Sequence, residues 1–292
     1  MAPYLRVSRT TFSVMTHVCI ALVPPCVAAV YVFGWQAAVR IALSVAVACA
    51  ADRLCCHGKR FNSAAAVTGL LLTLSLPVGI PLWLLAAGCV FAVCVMRDAF
   101  GGIGNNLFNP AMAARAVLLT VFPAHLTGYT SPDAVSAATP LATAASAADL
   151  SSVLPLLVGT VGGSMGETSA LMILLGAVWL FCHRIIRWRI PVFSLLSFAA
   201  FSLITAGHVV KPLLSGSILF GAVYIFTDYT GKPTTPKGEI LFAIGVGATT
   251  ALLRAFGHYP EGVCFAVLLW NLLTPLLESA TVPHLIKRRK RA

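Results

Sequence analysis

Apolar residues along this chain come in long runs separated by short polar or basic stretches, without the strict alternation of strands or the one-sided stripe of soluble helices. Against the roughly 20 residues needed to cross a bilayer, ten runs stand out, near 13–34, 36–52, 64–76, 82–97, 110–123, 166–182, 190–207, 213–227, 239–254 and 261–279. Several are short for a full crossing, and the third closes on Leu76-Pro77-Val78-Gly79, so short or broken helices are expected among them. The pattern predicts an all-α integral membrane protein of about ten transmembrane helices in a single membrane domain. The first run follows Arg6 and Arg9 as a signal peptide core would. It is long, contains Pro24-Pro25 and leads into another run, and is read as retained.

Composition agrees with this picture. Of 292 residues, 59% are hydrophobic and only 10% charged, against roughly 25% charged in soluble domains. Too few charges remain to cover a globule, which excludes a soluble enzyme or a disordered binding module. The net charge of +11 reads as topology and not as nucleic-acid binding. With Arg6 and Arg9 inside, ten crossings also put Arg53, Lys59, Arg60, Arg97, Arg184, Arg187, Arg189, Lys232, Lys237 and the tail Lys287-Arg288-Arg289-Lys290-Arg291 inside. Only Arg40, Lys211 and Arg254 fall near the outer face, so both termini are expected on the cytoplasmic side of an inner membrane. The basic tail suits a topology anchor or contact with anionic membrane lipid.

Nine cysteines suggest a metal or disulfide framework, but none shows C-x-x-C spacing. Cys19, Cys26, Cys49, Cys89, Cys94, Cys182 and Cys264 lie in apolar runs and read as small buried residues. Cys55-Cys56 adjoins basic residues on the reducing face, where a disulfide is not expected. No metal site is expected.

The same topology places residues 124–165 outside, in a long Ala/Ser/Thr-rich loop, and there is no Lys or Arg between 116 and 183. Around it the chain repeats weakly: Phe100-Gly101 through Asn109-Pro110 into an apolar helix is echoed by Phe256-Gly257-His258-Tyr259-Pro260 leading into Val263 and beyond. Each half, about 13–123 and about 166–280, would hold five crossings, with a tail at 281–292. An odd number forces opposite orientations, the inverted repeat of transporter-like folds, whose sites lie at broken helices near the repeat interface. In Asn109-Pro110, Asn suits the helix cap and Pro the first turn.

The outer loop carries Asp133-Ala134-Val135-Ser136-Ala137-Ala138-Thr139-Pro140-Leu141, which resembles the flavin-attachment motif D-x-x-[S/T]-G-A-T, with Ala137 where the motif has Gly. Phe100-Gly101-Gly102-Ile103-Gly104-Asn105-Asn106-Leu107-Phe108-Asn109-Pro110 precedes it and Gly162-Gly163-Ser164-Met165-Gly166-Glu167-Thr168-Ser169 follows. Further matches are Arg187-Trp188-Arg189-Ile190-Pro191, Thr227-Asp228, Thr235-Pro236-Lys237-Gly238 and Tyr259-Pro260-Glu261-Gly262. Over most of residues 60–280 the chain resembles the RnfD/NqrB family, and RnfD more than the longer NqrB subunits of the sodium-pumping NADH:quinone reductase. The resemblance implies a membrane subunit of an ion-translocating ferredoxin:NAD+ oxidoreductase, coupling electron transfer to Na+ or H+ transport as part of a translocase and inert without the other Rnf-type membrane and cytosolic subunits. It also implies FMN esterified to Thr139 by a dedicated flavin transferase, with Asp133 and Ser136 in the attachment motif, and leaves room for a non-covalent riboflavin. The alternatives are an NqrB-like subunit or a flavin-free solute channel or transporter of the same architecture.

Glu167, at the expected start of the sixth run, is a candidate for orienting flavin or lining an ion path, or a carboxylate favoured by a helix N-terminus. Arg115, a cation inside a short apolar helix, is a candidate partner for a carboxylate or a flavin phosphate, or a snorkelling side chain. Asp228, with Thr227 and Thr230, and Asp98 are candidates for an ion path or helix caps. His17, His183 and His208 are assigned no ligand role. Trp35, Trp83 and Trp188 fall where interfacial aromatic belts are expected.

Overall fold

A computed structural model of the chain describes residues 10–55, 63–126, 163–207, 209–214, 217–257 and 262–282. Asp133, Ser136, Thr139 and His208 lie outside them, as do both ends of the chain. Among the described residues the structure is helical and contains no strand. The helices are α1 (Thr11–Phe33), α2 (Trp35–Cys55), α3 (Ser63–Leu74), α4 (Leu82–Val90), α5 (Pro110–Val121), α6 (Pro123–Leu126), α7 (Ala170–Cys182), α8 (Arg189–Ala206), α9 (Val210–Leu214), α10 (Ser217–Phe220), α11 (Pro236–Phe256) and α12 (Val263–Thr281). Two continue as wider π-helical turns: α4 over Phe91–Asp98 and α10 over Gly221–Ile225. Such turns often mark functional positions.

Every expected apolar run meets a helix, but among the described residues only α1, α11 and α12 are both long and apolar enough to cross a membrane alone. At 1.5 Å per residue the 12 residues of α3 reach only about 18 Å, little more than half of a bilayer's hydrocarbon core. Its C-terminal carbonyls are therefore left inside the protein and need donors. The turn before α7 supplies them: the N–H of Gly166 donates to Leu74 O at 2.7 Å and that of Met165 to Leu76 O at 3.1 Å. A Cβ on Gly166 would stand 2.6 Å from Leu74 Cβ, so only glycine admits this approach. The sixth run thus becomes helical at Ala170, capped by Ser169, and not at 166 as expected, because residues 163–169 are spent on closing α3.

The double proline of α1 has a similar consequence. Pro25 has no N–H to offer the carbonyl of Ala21, one turn earlier. Tyr224, in the π-helical turn after α10, donates its hydroxyl to that oxygen at 2.8 Å. Gly176 of α7 makes room, since a Cβ there would overlap the Tyr224 hydroxyl.

Packing pairs the helices across the chain: α1 lies on α7 and α5 on α12, while within each part α2 packs on α4 and α8 on α11. The core is a continuous apolar cluster running through α1, α3, α5, α7, α10 and α11. Cys89 and Cys264 are buried as expected. Cys182 is exposed, because it ends α7 and points out of the bundle. Trp35, Trp83 and Trp188 are exposed too.

Candidate functional site

Asn109 shows how the local sequence builds the site. Its Oδ1 accepts from the N–H of Ala111 at 3.1 Å and of Met112 at 3.2 Å, capping α5, and Pro110 occupies the first turn, where no N–H is needed. Its Nδ2 remains and donates to Asp228 Oδ2 at 3.1 Å. Thr230 donates to the same oxygen at 3.3 Å. Asn271 of α12, oriented to satisfy its neighbours, donates to Gly231 O at 3.0 Å and accepts from the Asn109 N–H at 3.0 Å. Thr274 adds a bond to Gly231 O at 2.8 Å. The segment 226–231 is thereby pinned between α5 and α12. Burial raises the Asp228 carboxyl above its ordinary range, opposed by the hydrogen bonds from Thr230, Tyr229 and Asn109.

Beside Asp228 opens a cavity of about 440 Å³. Val14, Val18, Leu71, Ile186 and Val223 give it aliphatic wall, and polar and charged side chains, among them Arg97, Asn106, Asp228, Thr230 and Lys232, line the rest. Arg97 reaches it from the π-helical end of α4, where its guanidinium is paired with Asp52 of α2 and, at 2.8 Å, with Asp98. Nη1 of Arg97 and Oδ1 of Asn106 are buried without a hydrogen-bond partner among the described residues. A buried donor and a buried acceptor lining one cavity favour a ligand carrying both functions, since each costs roughly 1–3 kcal/mol if left unmet.

At one edge of the cavity, Glu239 sits in the first turn of α11 with its side chain 0% exposed. Three cations converge on it: Arg187 at 3.0 Å, Arg189 at 3.4 Å and Lys232 at 3.0 Å. The basic residues sort by helix end. Arg97, Arg184, Arg187 and Lys232 all line the cavity. Arg40, near the opposite end of α2, donates to Ile80 O at 3.2 Å, and Arg254, in the last turn of α11, to Pro212 O at 2.8 Å.

Elsewhere, Arg115 of α5 and Glu167 of the turn before α7 form an ion pair at 3.5 Å, their side chains 4% and 1% exposed. The structure therefore brings Arg115 and Glu167 together and gives Asp228 an amide partner. It ties Asp98 to Arg97. Glu167 precedes the helix whose start it was expected to occupy.

Sequence reading did not single out Asp52, Arg97, Asn106, Glu239 or Asn271. The signal for Asp52 was an acid at the end of an apolar run. For Glu239 it was an acid right after Thr235-Pro236-Lys237-Gly238, downstream of a basic cluster.

Helices that are short or broken, buried ion pairs between them and an internal cavity with both aliphatic and charged walls define an α-helical membrane protein. The chain belongs to the NQR2, RnfD, RnfE family, whose model matches residues 1–287. It is 40% identical to the D-type subunit of the Na(+)-translocating ferredoxin:NAD(+) oxidoreductase complex of Acetobacterium woodii, over 96% of this chain and 92% of that protein. It is 35% identical to the D-type subunit of the ion-translocating oxidoreductase complex of Stutzerimonas stutzeri, over 95% and 92%. With the D-type subunit of the proton-translocating ferredoxin:NAD(+) oxidoreductase complex of Clostridium ljungdahlii it shares 33% identity, over 97% and 93%.

Proposed function

We propose that this chain is the D-type membrane subunit of an ion-translocating ferredoxin:NAD+ oxidoreductase complex, bearing FMN esterified to Thr139. The observation that carries the membership is the match itself. Relatives named as the D-type subunits of such complexes align along at least 92% of their own length and 95% of this chain. Their names differ in the ion, Na+ for one and proton for another, so the ion is left as either.

The tether rests on the motif from Asp133 to Thr139, and a flavin transferase would install it. The Arg115–Glu167 pair supports a fixed base for that loop, because it joins the helix before the loop to the turn after it. The sorting of Arg97, Arg184, Arg187 and Lys232 to one end and of Arg40 and Arg254 to the other supports an orientation with both termini cytoplasmic and the loop external. The pairing of α1 with α7 and of α5 with α12 is what two inverted halves would produce.

The cavity beside Asp228 is read as the seat of the second, non-covalent flavin. Its residues fit: Arg97 Nη1 offers a donor and Asn106 Oδ1 an acceptor, the pair that the carbonyl and N–H edge of a flavin ring requires, while Val14, Val18, Leu71, Ile186 and Val223 offer apolar contact to the ring. A flavin there supplies exchange of one or two electrons. The protein's own part is to hold Arg97 in place through Asp52 and Asp98, and to keep Asp228 available for a cation or proton on the cavity wall.

Deletion of the gene in its native host tests this reading. Inner-membrane vesicles should lose ferredoxin-dependent NAD+ reduction and regain it on complementation, and the tagged chain should co-purify with the other subunits. Full activity in the deletion strain would contradict it.

A further inference from the structure

Two thiols unused by the electron-transfer reading face each other across a helix pair. Cys55 Sγ, on the last residue of α2, lies 2.9 Å from Cys94 Sγ in the π-helical continuation of α4. Three residues before Cys55, Asp52 pairs with Arg97, which stands three residues after Cys94. The two segments therefore form an antiparallel ladder with adjacent rungs, one ionic and one of thiols. Cys94 rests against Ala48, Ala51 and Val93, small side chains that fix its place, while Cys55 ends its helix. A disulfide needs the sulfurs at about 2.04 Å, so closing this rung takes less than about 1 Å of further approach and no change of register.

We propose that Cys55 and Cys94 form a reversible dithiol–disulfide pair that locks α2 to the π-helical segment carrying Arg97. The oxidant is a thiol carrier in its disulfide form. The Cys55 thiolate attacks the carrier's S–S bond, which breaks, and the first carrier thiol leaves. The Cys94 thiolate then attacks the mixed disulfide at the Cys55 sulfur, forming the Sγ–Sγ bond and releasing the second carrier thiol. Two electrons pass from the cysteines to the carrier, and both cysteine protons end on its thiols. On a reducing face the bond is transient, as redox-sensing disulfides are. Its consequence reaches the cavity because Arg97 is the other rung: oxidation holds the guanidinium covalently in register, whereas reduction leaves that task to the ion pair. The thiol pair stands whatever ligand the cavity takes.

The test uses the whole complex in inner-membrane vesicles, oxidised with diamide, blocked with N-ethylmaleimide and peptide-mapped without reduction. The expected result is a cross-linked Cys55–Cys94 peptide in the wild type, reversed by dithiothreitol and absent from both Cys55→Ala and Cys94→Ala. Amide exchange over residues 91–98 should slow in the oxidised sample. If both thiols are still alkylated after diamide, or if Cys55 is found linked to Cys56, the proposal is overturned. The wild-type map decides this even where a variant does not assemble.

Discussion

The side-chain amide of Asn109 donates to the carboxylate of Asp228 at 3.1 Å while its oxygen caps α5. One residue thus opens a helix and anchors a loop 119 positions away. Replacing Asn109 with Ala should cost roughly 1–2 kcal/mol, the usual loss of an Asn cap. Asn109→Asp keeps the cap but sets a second carboxylate against Asp228. At pH 7 its thermal midpoint in detergent should therefore fall below that of Asn109→Ala, and the gap should close on acidification. Equal midpoints at all pH values would show that the contact is energetically idle.

Asp228 itself predicts a pH dependence. Its carboxyl, in the segment between α10 and α11 and outside the spanning helices, is raised by burial. The folded state therefore binds its proton more tightly than the unfolded state does. Stability from this group is fully present below the ordinary aspartate value and is lost as pH rises from there to the raised value. Asp228→Asn removes the dependence, so its thermal midpoint should rise relative to wild type as pH increases through that window. A wild-type and variant difference that is flat with pH would refute the assignment.

For the buried pair Arg115–Glu167, removing one partner takes a counter-charge from a buried ion and should cost about 3–5 kcal/mol. The double variant Arg115→Met/Glu167→Gln should be less destabilised than the sum of the single changes. Chemical denaturation of the four proteins in one detergent measures this coupling, and additive losses would show no interaction.

Tyr224 and Gly176 make a second coupled pair. Tyr224→Phe leaves the Ala21 carbonyl without the donor that Pro25 cannot supply, at a cost of about 1–3 kcal/mol. Gly176→Ala drives a methyl into the Tyr224 hydroxyl, and removing that hydroxyl should recover part of the loss. A double variant weaker than Gly176→Ala by the full cost of Tyr224→Phe would contradict this geometry.

The helices were legible in the sequence because a bilayer demands about 20 apolar residues per crossing, and the cap at Asn109-Pro110 followed from local chemistry alone. Arg115 and Glu167 stood out as charges where charges are expensive, yet their pairing depends on the turn before α7 folding onto the end of α3. The shortness of α3 was visible in its run, but the approach of Gly166 to Leu74 that closes it is revealed by no periodicity. Arg97 was counted as a topology marker and Asp52 was not singled out. The antiparallel packing of α2 on the end of α4 makes them one ion pair, and only that packing aligns Cys55 with Cys94. The cavity joins residues from α1, α3, α5, α7 and the segment before α11, so nothing in the linear spacing announced it.

On the proposed function, this membrane subunit carries its own covalent flavin. The most direct test is in-gel fluorescence of the denatured chain, co-produced with a flavin transferase, wild type beside Thr139→Ala, with peptide mass to locate any adduct. A fluorescent wild-type band bearing FMN on Thr139, absent in the variant, is the predicted result. A wild-type chain that is made and inserted beside an active transferase, yet shows neither fluorescence nor adduct, would contradict the account and favour a flavin-free transporter of the same architecture.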